Sequence, residues 1–302
     1  MKASTLLATL SLLAAGCLWG TGFLFGKIAF EQMTVSENVT FRFIFGSLVL
    51  APVLLKRWRK FCPRDLRLLA LAAIIGVPVQ FLVQFTGLQW TTVSHASLMV
   101  GTLPMIVALS SVILLRERLG RTEWLALLIS AAGAAIIALS HSAAGNSPKP
   151  SVAGDLLVLL SLVAAAAMIL ITKRLMTEYD PLEVTAAMII LGTVLLVIWV
   201  ELTKPPRFHF SLRSWTAVVA QGLLPTACAY LFWNWGLARV PASRAGAFLN
   251  VEPLVGAILG FAILRESLGA AVVAGGAMII GSAVYFSLRP PTRPCALPGV
   301  TP

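Results

Sequence analysis

Glu252 stands beside Pro253 near the middle of a long apolar run, AGAFLNVEPLVGAILGFAIL (245–264). A carboxyl group in such surroundings is costly to keep charged, which makes it a candidate for taking up and releasing a proton at neutral pH. No other carboxylate lies comparably deep in an apolar run. A second reading is structural. Pro253 removes one helical hydrogen bond and leaves the Leu249 carbonyl without its usual partner, and a hydrogen-bonded Glu beside it could help satisfy that backbone. Both readings stand at this level.

Pro104 does the same to the Val100 carbonyl in the earlier run GTLPMIVAL, where Gly101 loosens the turn. Gly101 and Asn250 each precede their proline by the same distance. Breaks of this kind are tolerated where they face protein or a water-filled cavity, so both residues are expected to line a centre. Asn250 and Glu252 lie about 200° apart on a regular helix, so one cavity takes both only if that helix is distorted.

Gln80 and Gln84 share a helical face, as do Tyr230 and Asn234, and each pair either lines a cavity or bridges helices. Trp19 sits within an apolar run between Gly16 and Gly20, where small residues let helices approach closely. Its ring either walls a pocket, open to cations and aromatic rings, or packs against lipid. Trp233 and Trp235 could form an aromatic vestibule. His95, at the start of a run, reads as an interfacial residue rather than a proton switch. Trp19, Gln80, Gln84, Gly101, Tyr230, Asn234 and Asn250 form the candidate substrate cavity, with Glu252 as the candidate for proton coupling and Pro104 and Pro253 as helix breaks.

Catalytic signatures are missing. There is no HExxH, no GxSxG, no paired Asp or His cluster within the apolar runs, and no GxxxxGK[ST], so ATP is not the direct fuel. The four cysteines show no CxxC and no metal-ligand spacing. The sequence predicts no catalytic residues, no metal and no cofactor.

The elements that hold these residues follow from composition. Of 302 residues, 58% are hydrophobic and 12% charged, too little polar surface for a soluble chain of this length. Apolar runs of about 20 residues, enough to cross hydrocarbon, recur. Ten spans are expected, over 4–30, 37–55, 66–89, 93–115, 122–140, 153–175, 181–201, 213–238, 242–264 and 268–288. The opening MKASTLLATLSLLAAGC looks like a lipoprotein signal. However, Ala14 stands where such a box prefers Leu, and the run continues to Phe30, beyond the roughly 7–15 residues of a signal core. It reads as an uncleaved first span.

The net charge of +11 sits in the short loops, which makes it a topology signal and argues against nucleic acid as a partner. Sixteen Lys and Arg on one side against five on the other place both termini in the cytoplasm, in an inner or plasma membrane. Lys27 and Arg42, within spans near the outer face, could snorkel outward. Trp58, Trp90, Trp124, Trp199 and Trp215 read as an interfacial belt.

Sliding the chain by 149 positions aligns 81–135 with 230–284 without a gap. Pro104 meets Pro253, Gly87-Leu88 meets Gly236-Leu237, and LRERLG (115–120) meets LRESLG (264–269). Each unit holds five spans, an odd number, so the second enters the membrane inverted. The expected fold is an all-α integral membrane protein of ten transmembrane helices in two inverted five-helix repeats. The first repeat covers 1–141, an outer linker 142–152 and the second repeat 153–288, with a disordered cytoplasmic tail at 289–302. Inverted repeats that enclose a midplane site describe a secondary transporter. The Arg-Glu hinges are expected to terminate helices at the interface.

The stretches GTLPMIVALSSVILLRERLGRTEWLALLISAAGAAII and NVEPLVGAILGFAILRESLGAAVVAGGAMIIGSAVYF resemble the two repeats of the EamA family in the drug/metabolite transporter superfamily. WGTGFLFGKIA near the start and FRF at 41–43 are also similar to that family, and the likeness covers residues 6–288. It implies a carrier of amino acids, other small metabolites or toxic organic compounds, mostly outward. The sixth span, LVAAAAMILITKRL, lacks a counterpart to Trp19, so the halves are expected to contribute unequally. The expected function is proton-coupled export of a small metabolite such as an amino acid, with efflux of hydrophobic cations or drugs, or metabolite uptake, as the alternative. An intramembrane enzyme is a more distant possibility. The expected partners are a small-molecule substrate, membrane lipid and protons, and the expected assembly is a monomer or weak dimer.

Overall fold

The apolar residues of this chain wrap around its helices instead of marking one stripe, which suits segments buried in lipid on one side and protein on the other. In the computed structural model, which describes residues 3–57, 61–103, 105–107, 109–110, 120–140, 150–237 and 246–288, no strand occurs among the described residues. The helices are α1 (Ala3–Gly20), α2 (Gly22–Ala29), α3 (Val35–Arg57), α4 (Pro63–Ile74), α5 (Gln80–Gln89), α6 (Val93–Val100), α7 (Arg121–Leu139), α8 (Val152–Leu175), α9 (Pro181–Thr203), α10 (Leu212–Gln221), α11 (Ala229–Leu237), α12 (Val251–Leu264) and α13 (Ala270–Leu288). Six continuous stretches are long and apolar enough to cross a membrane, namely Leu6–Ala29, Val35–Lys56, Pro63–Gln89, Val152–Thr172, Pro181–Thr203 and Leu212–Gly236. Shorter apolar helices cover Trp124–Leu139, Phe248–Leu264 and Ala270–Tyr285. The chain is a multi-pass membrane protein.

Local chemistry sets the ends. Thr92, Ser151, Asp180 and Ser211 each accept a backbone N–H from the first turn that follows, and Pro63 and Pro181 occupy first helical positions. The first span is not one helix: it breaks at Thr21, between Gly20 and Gly22. Two further spans carry a wide π-helical turn around a proline, at Ile75–Val79 with Pro78 and at Gly222–Cys228 with Pro225. The chain enters α12 through a 3₁₀ turn, Gly246–Asn250.

Helices pair closely as α1 with α11, α5 with α8, α3 with α9, α6 with α12, and α7 with α13. Glycines allow the nearest approaches. A Cβ on Gly133 would meet the Gly275 carbonyl at 2.6 Å, and one on Gly275 would meet the Gly133 carbonyl at 2.6 Å. Gly87 and Gly154 make the same reciprocal contact at 2.7 and 2.9 Å. Leu48, Leu55, Leu128, Leu160, Ile258 and Phe261 point outward as exposed apolar side chains, as lipid-facing positions require.

The expected tail at 289–302 and most of the linker lie outside the described residues, as do Pro104, Trp58 and all but the last residue of LRERLG.

Candidate functional site

Gly16 and Gly20 bring α1 against α12. A Cβ on Gly16 would meet the Phe248 carbonyl at 2.7 Å, and one on Gly20 would meet Val255 Cβ at 2.7 Å and the Glu252 carbonyl at 2.9 Å. Trp19, between them, turns to α11, where its ring lies 5.5 Å from Tyr230 in an edge-on contact and 5.3 Å from Trp233. All three rings are partly buried.

On α12, Val251 and Val255 face α1, while Gly256 faces Ser97 on α6 and Pro253 faces Gly101. Leu254 and Phe261 are exposed on the opposite side. Helical geometry therefore directs Glu252 inward, between α1 and α6. It is only partly buried, and it accepts no hydrogen bond from any described residue.

Arg42 departs from the expected outward snorkel. It is 4% exposed, its Nε donates to Thr226 Oγ1 at 2.7 Å, and its guanidinium carbon lies 4.5 Å from the Phe81 ring centre. Phe43 and Phe85 stand near the same group at 5.3 and 5.4 Å. The charges of Arg42 and Glu252 act on each other and on Tyr230 through space, yet Arg42 and Glu252 form no direct ion pair. Behind Arg42 a buried network fixes the helices. Asn38 donates to Gln221 Oε1 at 3.0 Å, Gln221 donates to the Gly22 carbonyl at 2.7 Å, and Thr226 donates to the Gln221 carbonyl at 3.1 Å.

The remaining sequence candidates fall in several places. Gln80 and Gln84 are buried on one face of α5, and Gln80 Oε1 finds no partner among the described residues. Gly101 closes α6 and lies against Pro253 and Ile279, bringing a break from one half of the chain onto the proline of the other. Asn250 is buried at the junction of the 3₁₀ turn with α12, so the winding changes between it and Glu252. Asn234 turns elsewhere: its amide donates to Thr185 Oγ1 at 2.9 Å and ties α11 to α9. Trp215 packs into a cluster with Phe41, 4.9 Å between ring centres, and not as a lone belt residue.

A second polar group gathers at the bundle end that carries Trp90. The Glu266 carboxylate accepts the backbone N–H groups of Val93 and Ser94, both at 2.7 Å, at the start of α6. The second hinge thus does more than end its own helix. It reaches there because Arg265 takes a left-handed backbone conformation, φ 54°, in turning off α12. Lys27 is partly buried, and its charge acts on Glu266. His95, expected at the interface, is 2% exposed and bonds through Nδ1 to Asp155 at 3.0 Å, while Thr91 donates to the other Asp155 oxygen. The carboxylates of Glu266 and Asp155 are thus buried and hydrogen-bonded at helix ends, whereas Glu252, in the first turn of α12, is only partly buried. Nothing local in the sequence marked Arg42, Gln221 or Asp155 as inward-facing.

Residues 6–139 and 152–288 match the EamA-like transporter family. The chain is 25% identical over 297 residues to the uncharacterized transporter YetK of Bacillus subtilis, covering 96% of this chain and 89% of YetK. An uncharacterized transporter of Archaeoglobus fulgidus is 26% identical, over 90% of this chain and 95% of its own. A protein of Streptantibioticus cattleyicolor described as a "probable terminal-alkyne amino-acid exporter" is 24% identical, over 90% of each. One solved crystal structure superposes with a TM-score of 0.65 at 22% identity, over 91% of this chain and 94% of that one, a likeness of fold. With both halves matched, the chain belongs to the EamA-like transporter family.

Proposed function

We propose that this chain is a secondary carrier that exports a small metabolite, such as an amino acid or a related compound, by alternating access between two inverted five-span repeats. The observation that carries the proposal is a pattern of helix pairing that survives exchange of the two halves. If spans one to ten are counted as α1–α2, α3, α4–α5, α6, α7, α8, α9, α10–α11, α12 and α13, then span two pairs with seven, four with nine, and five with ten. Span one pairs with eight, and its counterpart, span six, pairs with three. The π turns fall in spans three and eight, which are also counterparts. Such an exchange is what a two-fold axis in the membrane plane would produce, with the site where the halves meet. Glu252, Gly101 and Pro253 lie at that meeting.

In this reading Glu252 carries the coupling proton, both termini are cytoplasmic in an inner or plasma membrane, and Gly120 and Gly269 lie on opposite faces. The S. cattleyicolor relative supports an amino acid as cargo. The Trp19, Tyr230 and Trp233 cluster favours a second reading, efflux of hydrophobic cations, since such rings attract positive charge. The test is accessibility labelling of single cysteines at positions 120 and 269 in intact cells. Opposite sidedness is expected, and a common side overturns the inverted arrangement.

A further inference from the structure

Span three begins and span six ends at the same end of the bundle, where α4 packs on α8. A cavity of about 200 Å³ opens there, lined by Cys62, Arg64 and Asp65 at the start of α4 and by Arg174, Glu178 and Tyr179 at and beyond the end of α8. It is smaller than the roughly 300–1,000 Å³ of a pocket that encloses a drug-sized molecule, so it suits a small polar group. Its walls are braced from within. Asp65 accepts hydrogen bonds from the Cys62 thiol at 2.9 Å and the Tyr179 hydroxyl at 3.0 Å, and that hydroxyl accepts the Cys62 N–H at 3.2 Å. Phe61 lies against Tyr179 with 4.5 Å between ring centres. The guanidinium groups of Arg64 and Arg174 border the same space and bond to no described residue.

The charge balance at this end is strongly positive. Residues 56–67 and 173–178 hold eight Lys or Arg against two acids, Asp65 and Glu178. Such a concentration of positive charge draws anions. Farther along α4, Leu66, Leu71 and Ile74 are exposed, an apolar surface of the kind that lipid chains cover.

We propose that this cavity binds the phosphodiester headgroup of an anionic phospholipid, with Arg64 and Arg174 on its phosphate oxygens and its acyl chains along the exposed leucines and isoleucine of α4. A planar guanidinium matches phosphate through paired hydrogen bonds. A choline headgroup would add a cation where cations already crowd, and a soluble phosphate would meet the arginines but forgo the apolar contact. Because α4 and α8 come from opposite halves of the chain, a lipid seated here ties the halves together at one end. The site stands on the cavity and its charges and does not depend on the carrier reading.

The test uses the purified full chain in mild detergent, read by native mass spectrometry and by thermal unfolding. Phosphatidylglycerol and phosphatidylcholine with the same acyl chains are added in turn. Phosphatidylglycerol should be retained more strongly and should raise the unfolding midpoint, and phosphatidylcholine should not. Arg64→Gln combined with Arg174→Gln should cut phosphatidylglycerol retention by about ten- to thirtyfold, the loss of two cations from an anionic headgroup. Arg121→Gln combined with Lys204→Gln removes the same charge from exposed positions outside the cavity and should leave retention unchanged. Equal retention of the two lipids overturns the site, as does an equal effect of the two double variants. Glycerol 3-phosphate that raises the midpoint as far as phosphatidylglycerol does would mark a site for a soluble phosphate and overturn the lipid. Should the cavity variant not fold, the two lipids and glycerol 3-phosphate on the unaltered chain decide alone.

Discussion

The Glu266 carboxylate accepts the backbone N–H of Ser94 at 2.7 Å, across 172 positions of sequence, while its other oxygen takes Val93. Beside the local cap Thr92, which takes the N–H of His95, it satisfies the two preceding N–H groups of α6 from the other half of the chain. An ionised acceptor at a helix N-terminus is favoured by both the hydrogen bonds and the helix dipole. Glu266→Gln should lower stability by about 1–2 kcal/mol, read as an earlier thermal unfolding in detergent. An unchanged midpoint would show that α6 holds its start without this clamp.

His95 and Asp155 should behave as one unit. Asp155→Ala strands both His95 and Thr91, whereas His95→Ala leaves Asp155 its bond from Thr91. The Asp variant is expected to lose more, with each loss in the range of about 1–3 kcal/mol for a buried polar group left unsatisfied. The double variant should fall short of the sum. Strict additivity in denaturation would argue that the pair is not formed.

The glycines separate by their neighbours. Gly133→Ala and Gly275→Ala each drive a methyl into a carbonyl 2.6 Å away, and both should reduce folded yield. Gly281, on the same helix as Gly275, has nothing within 4 Å of its would-be Cβ. Gly281→Ala should be neutral or stabilise by up to about 1 kcal/mol, since alanine is the better helix former. Equal effects at Gly275 and Gly281 in size-exclusion yield would refute the close contact.

Trp19→Ala should weaken cargo binding more than it weakens the fold, because its ring meets Tyr230 and Trp233 without being fully buried. Parallel exchange and thermal-unfolding measurements decide the matter, and matched losses would make Trp19 a packing residue.

Glu252→Gln removes the titratable group but keeps an oxygen that can accept a bond. Flux driven by a pH gradient should disappear, while exchange between equal pools continues. Unaltered pH-driven flux would end the coupling role.

The all-helical membrane character and the family were legible because each is written locally, in the length of an apolar run or in a motif of identical residues. The repeat makes Gly101 equivalent to Asn250 and Pro104 to Pro253, and gave no sign that Gly101 would meet Pro253. Arg42 was not. Its position in the run left open whether its long side chain turned to the headgroups or to the centre, and that depends on partners such as Thr226, 184 positions away. Asp155 opened a helix in the ordinary way, and only folding brought His95 to it, 60 positions distant in sequence. The break at Thr21 had a signal in the flanking Gly20 and Gly22, outweighed by the continuous hydrophobicity around it.

The reciprocal glycine contacts have a mechanical consequence. Where backbone lies directly on backbone, as between α7 and α13 or α5 and α8, neither helix can slide past the other without a carbonyl striking the opposing main chain. Each couple must then travel as a single stiff strut. Any passage that opens for a solute has to part the seams between struts, so the freedom to move is confined to the lines of contact that separate them.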